Sequence, residues 1–270
     1  MEFNRKRDSD SMKFKRRDVK MQKREYSEGP LTRQKQASST TPAGCMCKPL
    51  KIFTSNVRGI KLIKNRVDKL NKLAALNPDI LFIQELRLNH IEQIKEAQQL
   101  WKIGKSVISI GSDLADGVGI LFNTYNLEII KRRDIIPGRL LVLDCNLKGQ
   151  KLRLINVYTS SDRSKKIQLF RKLPELLCSG HDIILAGDFN TVTEENDREA
   201  STHFKLSKEG KILKEICDEF EMKDSFRVMY PDSFGFTRYD NKTKTRIDRI
   251  YVSKQANLND YKTVTPGSEE

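Results

Sequence analysis

Residues 182–190 read Asp-Ile-Ile-Leu-Ala-Gly-Asp-Phe-Asn, DIILAGDFN. Ile183, Ile184 and Leu185 make a short apolar run of the kind that crosses a core as a strand. Two small residues follow, and then Asp188 and Asn190. In an extended chain, residues two apart lie on one face. A turn would be satisfied by Gly187 alone. An acid and an amide on one face at the end of a buried strand need a further reason.

Other apolar segments carry the same signature. KIFTSN (51–56) ends at Asn56, ILFIQE (80–85) at Glu85 and LRLINVY (152–158) at Tyr158, while TRID (245–248) brings Asp248 into an apolar strand. Any one of these could be a cap or turn residue. Five segments with oxygen or amide chemistry point instead to a shared site, because functional side chains converge at strand ends in α/β architectures. Phosphate ester hydrolysis suits this set. Glu85 is a hard carboxylate of the kind Mg²⁺ takes alongside several waters. Asp188 can orient a water. Asn56, Asn190 and Tyr158 can donate to phosphate oxygens without adding charge that repels the substrate. Histidine is missing from the set. His90 begins a surface helix, His181 opens its strand at the end opposite Asp188, and only His203, in a polar loop, could come near.

Outward from this stretch, periodicity predicts the remaining elements. A strand enters a loop at LKIFTSNVRG, with Gly59 at the turn. A helix over 63–76 buries Ile63, Val67, Leu70, Leu73, Ala74 and Leu76, and Asn77-Pro78 stops it. DILFIQE is a buried strand and HIEQIKEAQQL a polar surface helix. KSVISI, GVGILFN and NLEIIKRRDII are strands. RLLVLDCNL and KLRLINVYT form a hairpin turned by Lys148-Gly149-Gln150. A helix over 163–177 is capped by Asp162 or Ser161, and SKEGKILKEICDEF is a second one. GFTRYD and TRIDRIYVS form a hairpin around NKTK. Strands outnumber helices and come both as hairpins and as helix-connected pairs. We therefore expect an α/β fold of two mixed β-sheets packed face to face with helices outside.

Composition bounds the rest. The chain has 270 residues, 37 % of them hydrophobic, and a net charge of +14. Half of that excess, thirteen Lys and Arg against six Asp and Glu, lies in residues 1–48. That basic arm and its Ser/Thr-rich linker carry too little apolar surface to fold, so the folded domain is expected over 49–270. A basic balance favours a polyanion such as nucleic acid. No apolar run reaches the length of a membrane span and no signal peptide is present, so we expect an intracellular, soluble, nuclear protein with no membrane partner. Five cysteines form no framework. Cys45 and Cys47 have no second pair with which to build a zinc site, and Cys145, Cys178 and Cys217 read as reduced core thiols.

In this order and spacing, IQE, GVGILF, INVY, GDFN and RIDRIYVS resemble the endonuclease/exonuclease/phosphatase superfamily, which includes exonuclease III and the apurinic/apyrimidinic endonucleases. SNVRGI, FIQE, LAGDFN and RIDRIYVS are most similar to the endonuclease domain of non-LTR (LINE-type) retrotransposons. The resemblance runs from about Leu50 to the end of the sequence. It implies a DNase I-like four-layer sandwich and Mg²⁺ or Mn²⁺ as the only cofactor. It also implies DNA as partner, with nicking that leaves 3′-OH and 5′-phosphate ends. By matching motif, Glu85 is the metal ligand, and Asn56 sits beside the metal and the scissile phosphate. Tyr158 contacts the phosphate, Asp188 activates the attacking water, and Asn190 holds the phosphate or that water. Asp248 orients a catalytic histidine, and Thr237 and Thr245 contact the DNA backbone. Two departures stand out. Thr159-Ser160-Ser161 replaces the usual Ala-Pro-Asn, and the closing Ser-Asp-His motif does not occur before the sequence stops at TVTPGSEE. The C-terminal strand is therefore expected to be missing and activity impaired, and a reverse transcriptase is a possible downstream partner in a longer protein. The alternatives are an inactive DNA-binding remnant, or a phosphatase acting on lipid or inositol phosphates. The second is disfavoured by the basic balance and by the RIDRIYVS ending.

Overall fold

The computed structural model describes residues 49–254. The basic arm, Cys45, Cys47 and the residues after 254 lie outside them. In chain order the elements are β1 (Ile52–Asn56), α1 (Ile63–Ala75), β2 (Ile80–Gln84), α2 (Ile91–Leu100), β3 (Ser106–Ser109) and β4 (Val118–Phe122). There follow β5 (Leu127–Ile136), β6 (Leu140–Leu147), β7 (Gln150–Tyr158), α3 (Arg163–Phe170), α4 (Leu173–Leu177) and β8 (Asp182–Asp188). The last group is β9 (Arg198–Ala200), α5 (Lys208–Glu219), β10 (Lys223–Asp224), α6 (Ser225–Met229), β11 (Arg238–Asp240), β12 (Thr243–Thr245) and β13 (Asp248–Val252).

The strands form two mixed sheets and one small antiparallel one. The first sheet runs β1-β2-β4-β3, the second β10-β13-β8-β7-β6-β5, and the small one β11-β12-β9. Period-2 alternation then sorts side chains into layers. On β2, Ile80 and Phe82 join Leu141, Leu143, Leu154, Ile184 and Ile250 between the two large sheets. Leu81 and Ile83 point the other way, against Leu70 of α1, Ile94 of α2 and Trp101. On β8, Ile184 and Ala186 face the first sheet, while Ile183 and Leu185 face Phe170, Leu176 and Leu213 on α3, α4 and α5. The result is four layers, helix–sheet–sheet–helix. Each fully buried large apolar side chain contributes about 1.5–3 kcal/mol, which offsets the entropy of ordering the chain. No helix among the described residues is long and apolar enough to cross a membrane.

Topology gathers the site. β1 and β2 are parallel, so Asn56 and the end of β2 lie together. β7 and β8 are parallel, so Tyr158 stands opposite Asp188. β13 runs antiparallel to β8 and begins where β8 ends, with Asp248 opposite Asp188. Just behind these ends, a polar latch joins the two sheets. Asn156 Nδ2 donates to the main-chain oxygens of Ile83 (3.1 Å) and Gly119 (2.7 Å), and its Oδ1 accepts from Gln84 Nε2 at 2.9 Å. Both side chains are fully buried, and every bond is matched, as a dry interior requires.

Several expectations are corrected. The final hairpin pairs β11 with β12, and the strand carrying Asp248 joins the large second sheet instead. The break is at Arg246. Its guanidinium turns inward to Asp197 (2.7 Å) and Asp224 (2.8 and 3.0 Å) in a buried cluster that also holds Arg249 and Arg227. Gly187 is no turn residue; it lies within β8 at φ +141, where a Cβ would stand 1.9 Å from the Val157 oxygen of β7. The β6–β7 turn is the two residues Lys148 and Gly149, both at positive φ, and Gln150 already pairs with Leu147. On α1 the fully buried positions are Arg66 and Leu70, while Ile63 is exposed. Arg66 displaces apolar residues because its guanidinium caps the main-chain oxygens of Ile60 (3.0 Å) and Lys61 (2.7 Å). The helix expected over 163–177 breaks into α3 and α4, with Pro174 in the first turn of the second, and Asp162 caps α3. Cys145 and Cys217 are buried thiols, but Cys178 is exposed at the end of α4.

Candidate active site

Glu85 is the first residue past β2 and adopts φ +57. Its loop is fixed on both sides by main-chain bonds: Gly59 N–H to Glu85 O (2.7 Å), Ile60 N–H to Leu86 O (2.9 Å) and Leu86 N–H to Gly117 O (3.1 Å). Gly117 is required there, since it sits at φ +124 and a Cβ would meet Leu86 Cβ at 2.7 Å. Burial works against the Glu85 charge. Hydrogen bonds from Asn56, Arg87 and Tyr158, with the Arg87 charge, outweigh it and hold the carboxyl below its ordinary range. The Arg87 guanidinium donates to Glu85 Oε1 through both Nε (2.9 Å) and Nη2.

Asp188 closes β8 and is buried. Its Oδ2 accepts from Asn56 Nδ2 at 2.9 Å, a bond that crosses from one sheet to the other, and its Oδ1 accepts from the Asn190 N–H at 2.9 Å. Burial pushes its carboxyl up, the two donors pull it back, and the Glu85 charge adds to the rise. Asn190 does not continue the strand. It turns at φ +44, and its Nδ2 donates to the Thr159 oxygen at 3.0 Å. Tyr158 is buried. Burial first, and then the neighbouring Glu85, hold its hydroxyl far above the usual range, so it remains a donor. The Arg139 guanidinium lies over its ring at 4.3 Å and is itself paired with Asp116.

Asp248 is half-buried, but its Oδ1 is enclosed and has no hydrogen-bond partner among the described residues. Burial, then the Asp188 charge, push its carboxyl up to about 7. Thr237 Oγ1 accepts from the main-chain N–H groups of Ile247 (3.1 Å) and Asp248 (3.2 Å). Thr245 lies half-buried on β12, between Arg238 of β11 and Arg198 of β9.

The structure thus brings Asn56, Glu85, Tyr158, Asp188, Asn190 and Asp248 to one end of the sandwich, with Thr237 beside Asp248. Thr245 lies further out, on the small sheet. His90 stands at the N-cap position of α2 without a side-chain cap bond, His181 bonds Ser179 at the far end of β8, and His203 lines a shallow depression with Arg198 and Thr202. Sequence reasoning missed Arg87, Arg139 and Lys166, whose Nζ donates to the Asn190 oxygen.

The donor set fits a hard divalent cation sparingly. No cluster of three His, Cys, Asp or Glu that could hold a metal occurs among the described residues. Mg²⁺ needs no such cluster, because it keeps much of its water and takes one or two carboxylates. Glu85 has the chemistry of such a ligand: its carboxyl is held below its ordinary range, it is partly open, and it draws the Arg87 cation to one oxygen. Asn56 stands beside it and spans the gap to Asp188.

Comparison with known proteins converges on one family. Residues 53–269 match the profile described as "Endonuclease/Exonuclease/phosphatase family". An uncharacterized 149 kDa protein of transposon TX1 from Xenopus laevis is 28 % identical over 213 residues. That alignment takes in 76 % of this chain and 16 % of the relative, so the chain spans about a sixth of that protein's length. An AP endonuclease from Archaeoglobus fulgidus shares the fold with a TM-score of 0.59 at 22 % identity, over 76 % of this chain and 87 % of that one. A 3′ phosphatase from Neisseria, bound to product DNA hairpin, also scores 0.59, at 25 % identity and the same coverage.

Proposed function

The chain belongs to the endonuclease/exonuclease/phosphatase family, and from that premise we propose that it hydrolyses phosphodiester bonds in DNA with a divalent metal, Mg²⁺ or Mn²⁺, in the manner of a retrotransposon-type endonuclease. The observation that carries the reading is the Asn56–Asp188 hydrogen bond beside Glu85, which draws strand-end carboxylates of the two sheets together. The acidities of those carboxylates are shifted in opposite directions. Glu85, held below its ordinary range, would hold the metal together with Asn56. The other, Asp188, is enclosed and more basic, which suits a group that must accept a proton from water.

When bound, the metal supplies positive charge against the phosphate oxygens. The remaining work falls to this chain's own side chains. Asp188, aimed by two donors, orients the attacking water and receives its proton. Asn190 presents an amide next to that water. Tyr158 stays protonated and donates, and Arg139 holds its ring in place. Asp248, paired in register with Asp188, shares the proton balance of that carboxyl. Thr237 and Thr245 flank the route along which a DNA backbone would pass. The small sheet and the loop before it carry aromatic and basic side chains: Phe234 stacks on Phe236 at 5.2 Å, Tyr239 stands edge-on to Phe236 at 6.4 Å, and Arg238 and Lys244 lie on β11 and β12. Such a mixture suits nucleic acid better than an inositol headgroup.

Two linked measurements test the reading. Calorimetry with Mn²⁺ should show Glu85→Gln weakening binding about tenfold or more, while Asp182→Asn, at the far end of β8, leaves it unchanged. Supercoiled DNA and a 3′-phosphate-ended duplex, incubated with the protein in Mg²⁺ and in chelator, then separate internal nicking from phosphate release. Metal affinity indifferent to Glu85, or no metal-dependent product from either substrate, would contradict the proposal.

A further inference from the structure

Lys166 is a buried ammonium that the chemistry above does not use. It sits on α3 at 5 % relative exposure, and its Nζ donates to the main-chain oxygen of Asn190. Packing puts it there. Phe170, one turn further along α3, lies 6.4 Å from the Phe189 ring, and Phe189 meets Tyr251 edge-on at 5.5 Å. Residues four apart share a helix face. The contact that seats Phe170 against Phe189 therefore also brings Lys166 to the next residue, Asn190.

Asn190 needs such a partner. Its φ of +44 is a region that side-chain-bearing residues seldom adopt, although asparagine tolerates it better than most. In that turn its N–H donates to Asp188 Oδ1 at 2.9 Å and its Nδ2 to Thr159 O at 3.0 Å. Asn190 is half-buried and Thr191, the next residue, is buried, so a donor from the protein satisfies the Asn190 carbonyl where access to water is restricted. A neutral donor would do this at less cost than an ammonium. Burial, with Arg163, opposes its charge more than Glu209 and Asp188 support it, so the ammonium is held below its ordinary range.

We infer that Lys166 is a positioning residue: it pins the Asn190 peptide in the left-handed turn from which the Asn190 N–H aims Asp188. A line of hydrogen bonds then runs from α3 through Asn190 and Asp188 to Asn56, from the outer helix layer of one sheet to the strand end of the other, beside Glu85. The competing account is that Lys166 only fills space with its aliphatic stem, in which case methionine would serve equally well. The catalytic half of this inference rests on the hydrolase reading; the positional half does not.

Amide hydrogen exchange on the full chain decides the positional half. Lys166→Met should raise the exchange rate of the Asn190 amide at least tenfold, leave Leu185 and Ile155 within twofold, and be largely rescued by Lys166→Arg. No change at Asn190, or an equal rise at all three positions, overturns it. If the methionine variant does not fold, Lys166→Gln is read the same way, with the same selective loss at Asn190 expected. On a labelled duplex with Mg²⁺, Lys166→Met should also cut the single-turnover rate about tenfold with DNA affinity within twofold of wild type. A weakened affinity at an unchanged rate counts against it. A wild-type chain that cleaves no substrate defeats the hydrolase reading, and the exchange data then still decide Lys166.

Discussion

Asp188 and Asp248 stand opposite each other in register across β8 and β13, and the shifted titration of Asp248 has a measurable consequence. The Asp248 carboxyl is raised to about 7 from an ordinary 3.8, by burial and then by the Asp188 charge. A raised acid stabilises the fold in its protonated form. That contribution is complete below about pH 4 and is lost as pH rises through 7. Asp248→Asn removes the titration. The wild type should therefore lose stability relative to the variant between pH 4 and pH 8, by an amount on the order of 2–4 kcal/mol. Urea midpoints at the two pH values measure it, and a constant difference would show that the carboxyl is not enclosed. At this scale the strand-end residues were legible, because Glu85, Asp188 and Tyr158 interrupt apolar runs where nothing in packing calls for a polar group. Lys166 and Arg87 were not, because a lysine four residues before Phe170 looks like any surface position until α3 is docked. Thr159 was noticed only as a departure from a pattern, yet it is buried and its oxygen receives the Asn190 amide.

Two elements depend on single positions. Gly187→Ala would drive a methyl into the Val157 oxygen, at a backbone conformation that L-residues rarely adopt. It should part β7 from β8 and cost at least about 2 kcal/mol, seen as a lower thermal midpoint together with loss of exchange protection at Thr159, whose N–H donates to Asp188 O. An unchanged midpoint would mean that the sheet yields there. Asp197 ties β9 and α6 to β13, since Arg227, Arg246 and Arg249 all donate to its carboxylate. Asp197→Asn leaves buried guanidinium charge short of a partner, and a loss of about 3–5 kcal/mol is expected from denaturant unfolding; a loss under 1 kcal/mol would show that Asp224 alone suffices. Continuous apolar runs made β2, β4, β6, β7 and β8 readable from sequence. The pairing of β12 and β13 was not, because TRIDRIYVS reads as one strand. Only the inward turn of Arg246 to two distant carboxylates divides it, and a contact across 49 residues, as with Asp197, leaves no local trace.

The described residues form a four-layer sandwich and the chain carries a net charge of +14, and both properties bear on its partner. The layers were readable from the mixture of hairpins and helix-connected strands. The convergence of Asn56, Glu85 and Asp188 was only inferable, since two sheets had to meet before three strand ends could share a cleft. A basic chain gains DNA affinity by releasing counterions, with a slope in log salt of about 0.9 for each phosphate neutralised. Removing residues 1–43 should lower affinity and flatten that slope in a fluorescence anisotropy titration, whereas an unchanged slope would place the arm off the DNA. The central claim is that Glu85 and Asp188 form one metal-dependent hydrolytic site. The most direct measurement is the single-turnover cleavage rate of a labelled duplex, at saturating protein and Mg²⁺, for the wild type, Glu85→Gln and Asp188→Asn. Metal-dependent cleavage by the wild type is predicted. Each variant should be slower by about a hundredfold or more, with DNA affinity within threefold of wild type. No Mg²⁺-dependent cleavage by the wild type, or cleavage that survives Asp188→Asn undiminished, would contradict it.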